Sequence, residues 1–163
     1  MRRYFKDSNM KIKTSELTGP ALDWAVAKAE GRGLQRNPVG AQGGHGWWIW
    51  EETQSGKGGI LIDKSIYMEL GPHTQPKTRN SGDRYSPSTD WAQGGPILGR
   101  ELTSVNLVSE ENEQKWSARK AKYLPEEGAK VLEQCGPTPL IAICRCYVAS
   151  KLGDEVDVPE ELL

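Results

Sequence analysis

Apolar residues recur at helical spacing in a segment near the beginning of the chain, "TGPALDWAVAKAEGRG". The positions that follow the 3.6-residue period are Leu22, Ala25, Val26 and Ala29. Trp24 widens this apolar stripe, and Pro20 suits a first helical turn because its missing N–H costs no hydrogen bond there. Gly31 and Gly33 end the run, so the pattern predicts a helix over residues 19–30.

A second helical pattern, "CGPTPLIAICRCYVASKLGDE", lies near the end of the chain. Thr138 is a good N-cap residue, Pro139 fits the first helical position, and Gly153 follows the last periodic residue. The apolar face of this helix is formed by Leu140, Cys144, Tyr147, Val148 and Leu152, and it is broadened by Ile141 and Ile143. We therefore expect this helix to pack across a small antiparallel sheet.

That sheet is predicted by segments rich in aromatic and β-branched residues. "GWWIWEE" and "GGILIDKSIYMEL" favour strands, and the Gly-rich "TQSGKGG" between them is typical of a hairpin connection. A short helical turn and a strand are expected within "GPILGRELTSVNLVSE", the strand near residues 104–109, and another strand is expected around Trp116. The elements together predict an α+β fold, with a small antiparallel sheet packed by an N-terminal and a C-terminal helix.

The chain has 163 residues, a length typical of one domain with a sizeable core. Residues 1–9 differ in character from the rest of the chain and are expected to form a poorly held extension. Residues 10–163 then form a single domain. Within it, residues 31–47 are rich in Gly, Asn and Pro, and residues 71–84 are predicted to form an exposed, mobile loop.

Charge and cysteine content narrow the function classes. The net charge is −1 and the basic clusters are short, so we expect no nucleic-acid partner. No apolar run approaches the roughly 18 residues of a membrane span and no secretory segment is present, so we expect a cytoplasmic protein.

The odd number of cysteines (Cys135, Cys144 and Cys146) favours free thiols. His45 and His73 lie far apart, so no metal or cofactor is expected.

The segment "YSPSTDWAQGGP", residues 85–96, concentrates hydroxyls, a carboxylate, a tryptophan and two glycines. In a structural interpretation, its polar residues cap a short helical turn, its glycines take unusual backbone angles, and Pro96 restarts the chain. In a functional interpretation, the same polar groups bind anions or sugar hydroxyls while Trp91 stacks on a planar ring. The candidate ligand-binding residues here are Ser88, Thr89, Asp90, Trp91, Gln93, Gly94 and Gly95.

Arg145 lies inside the apolar pattern of the second predicted helix. Arginine is rarely fully buried without a partner. It is therefore expected either at the helix edge, where it reaches water or pairs with Asp90 or Glu16, or directed at a phosphate or carboxylate of a ligand. We include Arg145 in the candidate binding site.

Tryptophans also concentrate in one predicted strand, where Trp47, Trp48 and Trp50 alternate between its two faces. One face is expected in the core and the other exposed, and an exposed aromatic face is typical of an interface or a ligand site.

The sequence does not contain the common enzyme motifs that we considered. "SGKGG" lacks the spacing of a P-loop, and no Gly-x-Ser-x-Gly elbow occurs. No catalytic residue is assigned, although geometry would decide whether Asp90 acts with Ser88.

Three long strings carry a family resemblance: "KTSELTGPALDWAVAKAEG" (13–31), "YSPSTDWAQGGPILGRE" (85–101) and "GPTPLIAICRCYVASKLGDEVDVPEEL" (136–162). Together they resemble the NinX family of enterobacterial phages and prophages, a family of unknown function. The segment 32–84 is longer and richer in Gly and Trp than this family usually shows, and we describe it as a divergent insertion. The resemblance implies a phage accessory protein in the host cytoplasm, and it implies no particular enzymatic reaction.

These observations favour a non-enzymatic binding protein. The expected ligand is small, polar, ring-containing and nucleotide-like, and a host defence signal sequestered by the phage protein fits that description. The alternative is a protein-interaction module that inhibits or recruits a host protein through the Trp47, Trp48 and Trp50 face. Self-association is compatible with both hypotheses, because small binding proteins often build pockets between copies.

Overall fold

The computed structural model describes residues 8–36, 46–53, 56–62, 84–102 and 104–163. Its helices are α1 (Gly19–Ala29), α2 (Trp91–Glu101) and α3 (Pro139–Leu152). Its strands are β1 (Asn9–Lys13), β2 (Leu34–Arg36), β3 (Trp47–Thr53), β4 (Gly56–Leu61), β5 (Ser104–Glu110), β6 (Glu113–Leu124), β7 (Gly128–Gly136) and β8 (Glu155–Pro159). The fold is α+β, as predicted. Both histidines and all of the expected mobile loop except Arg84 lie outside the described residues.

One three-stranded sheet has the strand order β5–β6–β7 and is antiparallel throughout. Trp116 in β6 lies between Leu107 of β5 and Gly136 of β7, and it packs against the core. Helix α3 covers the same face of this sheet. The strand expected at 104–109 and the strand expected around Trp116 are thereby confirmed, together with a helix packed across them.

Helix α3 is buried on nearly every side, with residues 142–149 all buried. Its ends follow the predicted signals, because the Thr138 hydroxyl accepts from the N–H of Ile141 and Gly153 follows the last turn with a φ of 96°. Helix α1 packs on α3, together with α2, and not directly across the sheet. Because neighbouring elements surround α3, this helix needs apolar residues on all of its faces and not on one face alone.

The two ends of the described chain pair with each other. Strand β1 runs antiparallel to β8, with Asn9 opposite Pro159 and Lys13 opposite Glu155. Ser8 extends this contact, because its carbonyl accepts from the N–H of Glu160. Ser8 and Asn9 therefore belong to the folded domain, whereas the expected extension placed them outside it, and residues 1–7 lie outside the described residues.

A second sheet, β2–β3–β4, carries the three clustered tryptophans. Trp47 packs on the core and meets Trp24 edge to face at 5.8 Å between ring centroids. Trp48 is only 2% exposed, and Trp50 is half-buried with its ring edge against Trp48 at 6.3 Å. The predicted exposed aromatic face is therefore wrong, because Trp48 is buried and Trp47 and Trp50 are half-buried, Trp50 against Trp48 and Trp47 against Trp24.

Helix α2 differs most from the sequence prediction. It begins at Trp91 and continues for eleven residues through Gly94, Gly95 and Pro96, although the sequence favoured a break at this point. The residues after the two glycines still contribute to the core, because Ile97 is 1% exposed. Burial of this apolar side chain and a capped N-terminus offset the lower helix propensity of glycine and proline.

Candidate functional site

The loop that precedes α2 is fastened to α1 through a buried acid. The N–H of Ser88 donates to Oδ1 of Asp23 at 2.8 Å, and both residues are buried. Burial raises the pKa of Asp23 to about 6, and the hydrogen bond from Ser88 opposes part of that rise. The backbone of Ser88 thus holds the loop, and the residue, predicted to bind a ligand, is only 2% exposed, so its hydroxyl is not accessible to one.

Asp90 and Gln93 close the same loop on itself. Asp90 is the N-cap of α2, since Oδ1 accepts from the N–H of Ala92 at 2.9 Å. The Gln93 amide donates to the carbonyl of Arg84 and to Asp90, and its oxygen accepts from the N–H of Ser86. The structural interpretation of this segment is thus supported for both side chains, whose polar groups already have partners.

The glycines and Trp91 have different surroundings. A Cβ at Gly94 would lie 2.1 Å from the carbonyl oxygen of Pro87 and 2.8 Å from Leu140, so this glycine permits close packing of α2. Gly95 lies beneath the ring of Trp91. Trp91 itself is 54% exposed, and Thr89 is exposed beside it. Within the predicted set, these two side chains remain accessible for a ligand.

Arg145 is brought to a different part of the structure. Only 8% of the residue is exposed, and its guanidinium donates to the carbonyls of Leu17 and Cys135 at 2.9 and 2.7 Å. Burial lowers the pKa of Arg145 from its usual value. Its hydrogen-bond partners are backbone carbonyls and not Asp90 or Glu16, so Arg145 joins α3 to the chain before α1 and to β7.

A polar network that the sequence did not indicate joins the loop to both neighbouring helices. Glu30 accepts from the hydroxyl of Tyr85 at 2.7 Å and from Arg100 at 2.8 Å. Next to it, Arg32 makes a bidentate pair with Glu51, which lowers the pKa of that carboxyl. Because each carboxylate is paired with a cation or a hydroxyl, we interpret this network as a fastening and not as an acid–base pair.

Two open clefts among the described residues lie away from this loop. One, of about 470 Å³, is lined by Lys13, Ser15, Gln134, Asp154 and Glu155. The other, of about 520 Å³, is lined by Glu110, Glu111, Glu113 and Lys115 at the β5–β6 turn. Neither cleft contains a residue that the sequence singled out. The described part of the chain also holds no group of three or more residues suited to a metal ion, and none of its helices has the length and apolarity of a membrane span.

The distal end of the β6–β7 hairpin exposes apolar side chains. Strand β5 pairs with β6 only as far as Arg119, so the rest of the hairpin extends beyond it. On the face turned away from α3, Ala121 lies opposite Val131 and Tyr123 opposite Ala129. Tyr123 is 75% and Val131 64% exposed. These four residues form what we call the hairpin patch.

Sequence reasoning missed the hairpin patch because it recognised only the strand around Trp116. The signal was present: alternating apolar and charged residues on both sides of "LPEEG" are typical of two strands joined by a turn. The register then places Tyr123 and Val131 on one face, which the sequence alone does not establish.

Comparison with known proteins identifies a family. The family model described as "Bacteriophage P22, NinX" matches residues 13–151. The matched range includes the loop, all three helices apart from the last residue of α3, and the hairpin patch. It leaves out most of β1 and all of β8. No curated protein matches the chain.

Proposed function

The chain belongs to the bacteriophage P22 NinX family, and from that premise we propose that it is a phage accessory protein that acts in the host cytoplasm by binding a host protein. It does so without catalysis. The contact surface is the hairpin patch and not the tryptophan strand, since Trp48 is buried.

The observation that carries this proposal is the exposure of Tyr123 and Val131 on adjacent strands. Single exposed apolar residues are common, but contiguous ones rimmed by charges are typical of protein-binding surfaces. Tyrosine is also enriched at interfaces because it offers apolar area and a polar tip with few rotatable bonds. Arg119 and Glu133, opposite each other on the same face, provide a charged rim beside the patch.

Photo-cross-linking in phage-infected host cells tests the proposal. A benzophenone amino acid replaces Tyr123 in one variant and Leu107 in a matched control, because Leu107 is also exposed but lies on the other face of the sheet. One stoichiometric host protein cross-linked from position 123 and not from position 107 supports the proposal. Equal cross-linking from both positions, or none from position 123, contradicts it.

A second function, sequestration of a nucleotide-like ligand, is favoured by one observation at Trp91. Its indole lies across Gly95 with more than half of the residue exposed, which leaves a ring face available for stacking. Asp90 already caps α2, so the helix N-terminus offers little to an anion, and the ligand would depend on stacking and on Thr89. This makes the small-molecule function the weaker of the two.

Calorimetric titration with nucleotides and cyclic dinucleotides tests this second function. Binding heat with the wild type that disappears in Trp91→Ala supports it, and Pro96→Ala serves as a control for an exposed change on the same helix. Null titrations for both wild type and Trp91→Ala contradict it.

A further inference from the structure

Strand β7 forms an edge of its sheet in the described part of the chain. The carbonyl of Cys135 accepts from Arg145, so it is directed away from β6. Backbone groups of alternate residues in a strand point to the same edge. The N–H and C=O groups of Ala129, Val131 and Glu133 are therefore directed outward as well, and no described strand pairs with them.

This edge lacks most of the features that usually prevent strand pairing. Natural edge strands are short, bulged, or interrupted by proline or several charges. Strand β7 has nine residues, pairs with β6 without a break in register, and contains no proline. Its outward-directed stretch carries Lys130 and Glu133 as its charged residues. Such an edge is a suitable template for an added strand.

The charges on the hairpin indicate which residues an added strand would contain. Lys130 lies directly opposite Lys122 on the face that bears α3, and like charges at opposed positions are unfavourable. The ion pair of Lys130 with Glu127 is long, at 3.7 Å, and both side chains are largely exposed, so it compensates the repulsion weakly. A carboxylate from a neighbouring strand would relieve this repulsion. On the other face, Ala129 and Val131 favour apolar neighbours.

We propose that the outer edge of β7, from Ala129 to Glu133, binds an extended segment of the partner protein in which apolar and acidic residues alternate. The apolar side chains lie beside Ala129 and Val131, and the carboxylates lie beside Lys130, whose neighbour on β6 is Lys122. This inference rests on the proposed function, whose surface it extends from the hairpin patch to the adjoining edge. A second copy of the chain fits less well, because antiparallel pairing of two β7 strands about Val131 would place each Lys130 opposite Leu132 of the other copy and supply it with no carboxylate.

The experiment uses two short labelled peptides and the full chain. One peptide alternates valine with glutamate, the other alternates valine with lysine, and binding is measured by fluorescence anisotropy. We expect the glutamate peptide to bind about tenfold more tightly than the lysine peptide. The double variant Lys122→Glu/Lys130→Glu should reverse this preference.

A proline substitution separates strand addition from simple charge attraction. Val131→Pro removes an outward N–H while leaving the pairing of β7 with β6 in place, and edge positions tolerate proline. We expect it to abolish binding of the glutamate peptide, whereas Val131→Thr, which keeps the N–H, should retain it. Circular dichroism checks that both variants are folded.

Several results would overturn the proposal: equal or absent binding of the two peptides, binding that Val131→Pro leaves unchanged, or a dimer in light scattering that Val131→Pro dissociates. The last result would assign the edge to a second copy. If cross-linking from position 123 captures a host protein while the peptides fail to bind, the protein-binding function stands and strand addition alone is refuted.

Discussion

The carboxylate of Asp23, on α1, accepts a 2.8 Å hydrogen bond from the backbone N–H of Ser88, and both residues are buried. This contact fixes the loop before α2 to the first helix. An acid in such a position is costly when ionised, because burial removes its hydration and a single amide replaces only part of it. Its effect on stability can therefore be measured through pH.

Asp23→Asn should make the protein more stable at neutral pH. The pKa of Asp23 is about 6 in the folded protein and 3.8 for an ordinary aspartate, so the folded state holds the proton more tightly. The contribution of Asp23 to the free energy of unfolding then falls as pH rises from about 4 to about 6, by about 3 kcal/mol at most. Asparagine keeps an acceptor for Ser88 and removes this loss.

Urea denaturation at pH 4 and pH 7.5 measures this effect as the difference between wild type and Asp23→Asn, so that other titrating groups cancel. The variant should gain stability over the wild type mainly at the higher pH. Parallel pH profiles for the two proteins would show that Asp23 has an ordinary pKa.

Gly94→Ala should destabilise the protein, because its methyl group would meet the carbonyl oxygen of Pro87 at 2.1 Å. We expect a loss of about 2–4 kcal/mol in the free energy of unfolding, typical of overpacking at a rigid contact. Gly99→Ala is the matched control on the same helix, since nothing lies within 4 Å of its Cβ. That change should stabilise by up to about 1 kcal/mol. Similar effects of both changes in thermal denaturation would refute close packing at Gly94.

Gln93→Ala should loosen the loop without unfolding the protein. The change removes the partners of the Ser86 N–H and the Arg84 carbonyl, and we expect a loss of about 1–2 kcal/mol. Hydrogen exchange by NMR should show faster exchange of the Ser86 amide. Gln114→Ala, at an exposed position of β6, should leave that amide unchanged. Unaltered exchange in Gln93→Ala would mean that other contacts hold the loop.

Arg145→Met should destabilise the protein in the absence of any ligand. The methionine fills a similar volume but leaves the carbonyls of Leu17 and Cys135 without their donors, which costs about 2–4 kcal/mol. Arg119→Met removes an exposed pair with Glu133 and should change stability by less than about 1 kcal/mol. A Tm for Arg145→Met equal to that of the wild type would leave Arg145 available for a ligand role.

Elements whose signals are local were predicted well. Helix α3 has a cap residue, a first-turn proline, a C-terminal glycine and a long apolar stretch within a single continuous segment. The β5–β6 turn was not predicted, although its signal is also local: Glu111 and Asn112 both take positive φ values, 48° and 70°, as a type I′ hairpin turn requires. Asn112 is typical of that conformation but Glu111 is not, so this pair is a weaker turn signal than Asn-Gly.

The candidate site was less predictable. The hydrogen-bonding groups around Asp90 were noticed in the sequence, but their partners could not be. Gln93 satisfies groups within its own loop, whereas Ser88 depends on Asp23, which lies on a helix far away in the chain. An unpaired polar group and a paired one look the same in a sequence.

The family was indicated by the resemblance of three long sequence strings and is shown by the family model over residues 13–151. Local signals were sufficient to predict the α+β class and helices α1 and α3, because periodicity, caps and breakers act over a few neighbouring residues. Long-range packing was needed to establish that α2 continues through two glycines and a proline, that Arg145 binds carbonyls from two distant segments, and that Tyr123 and Val131 share an exposed face. Those outcomes depend on which segments meet in space, and burial and strand register arise only once the chain has folded.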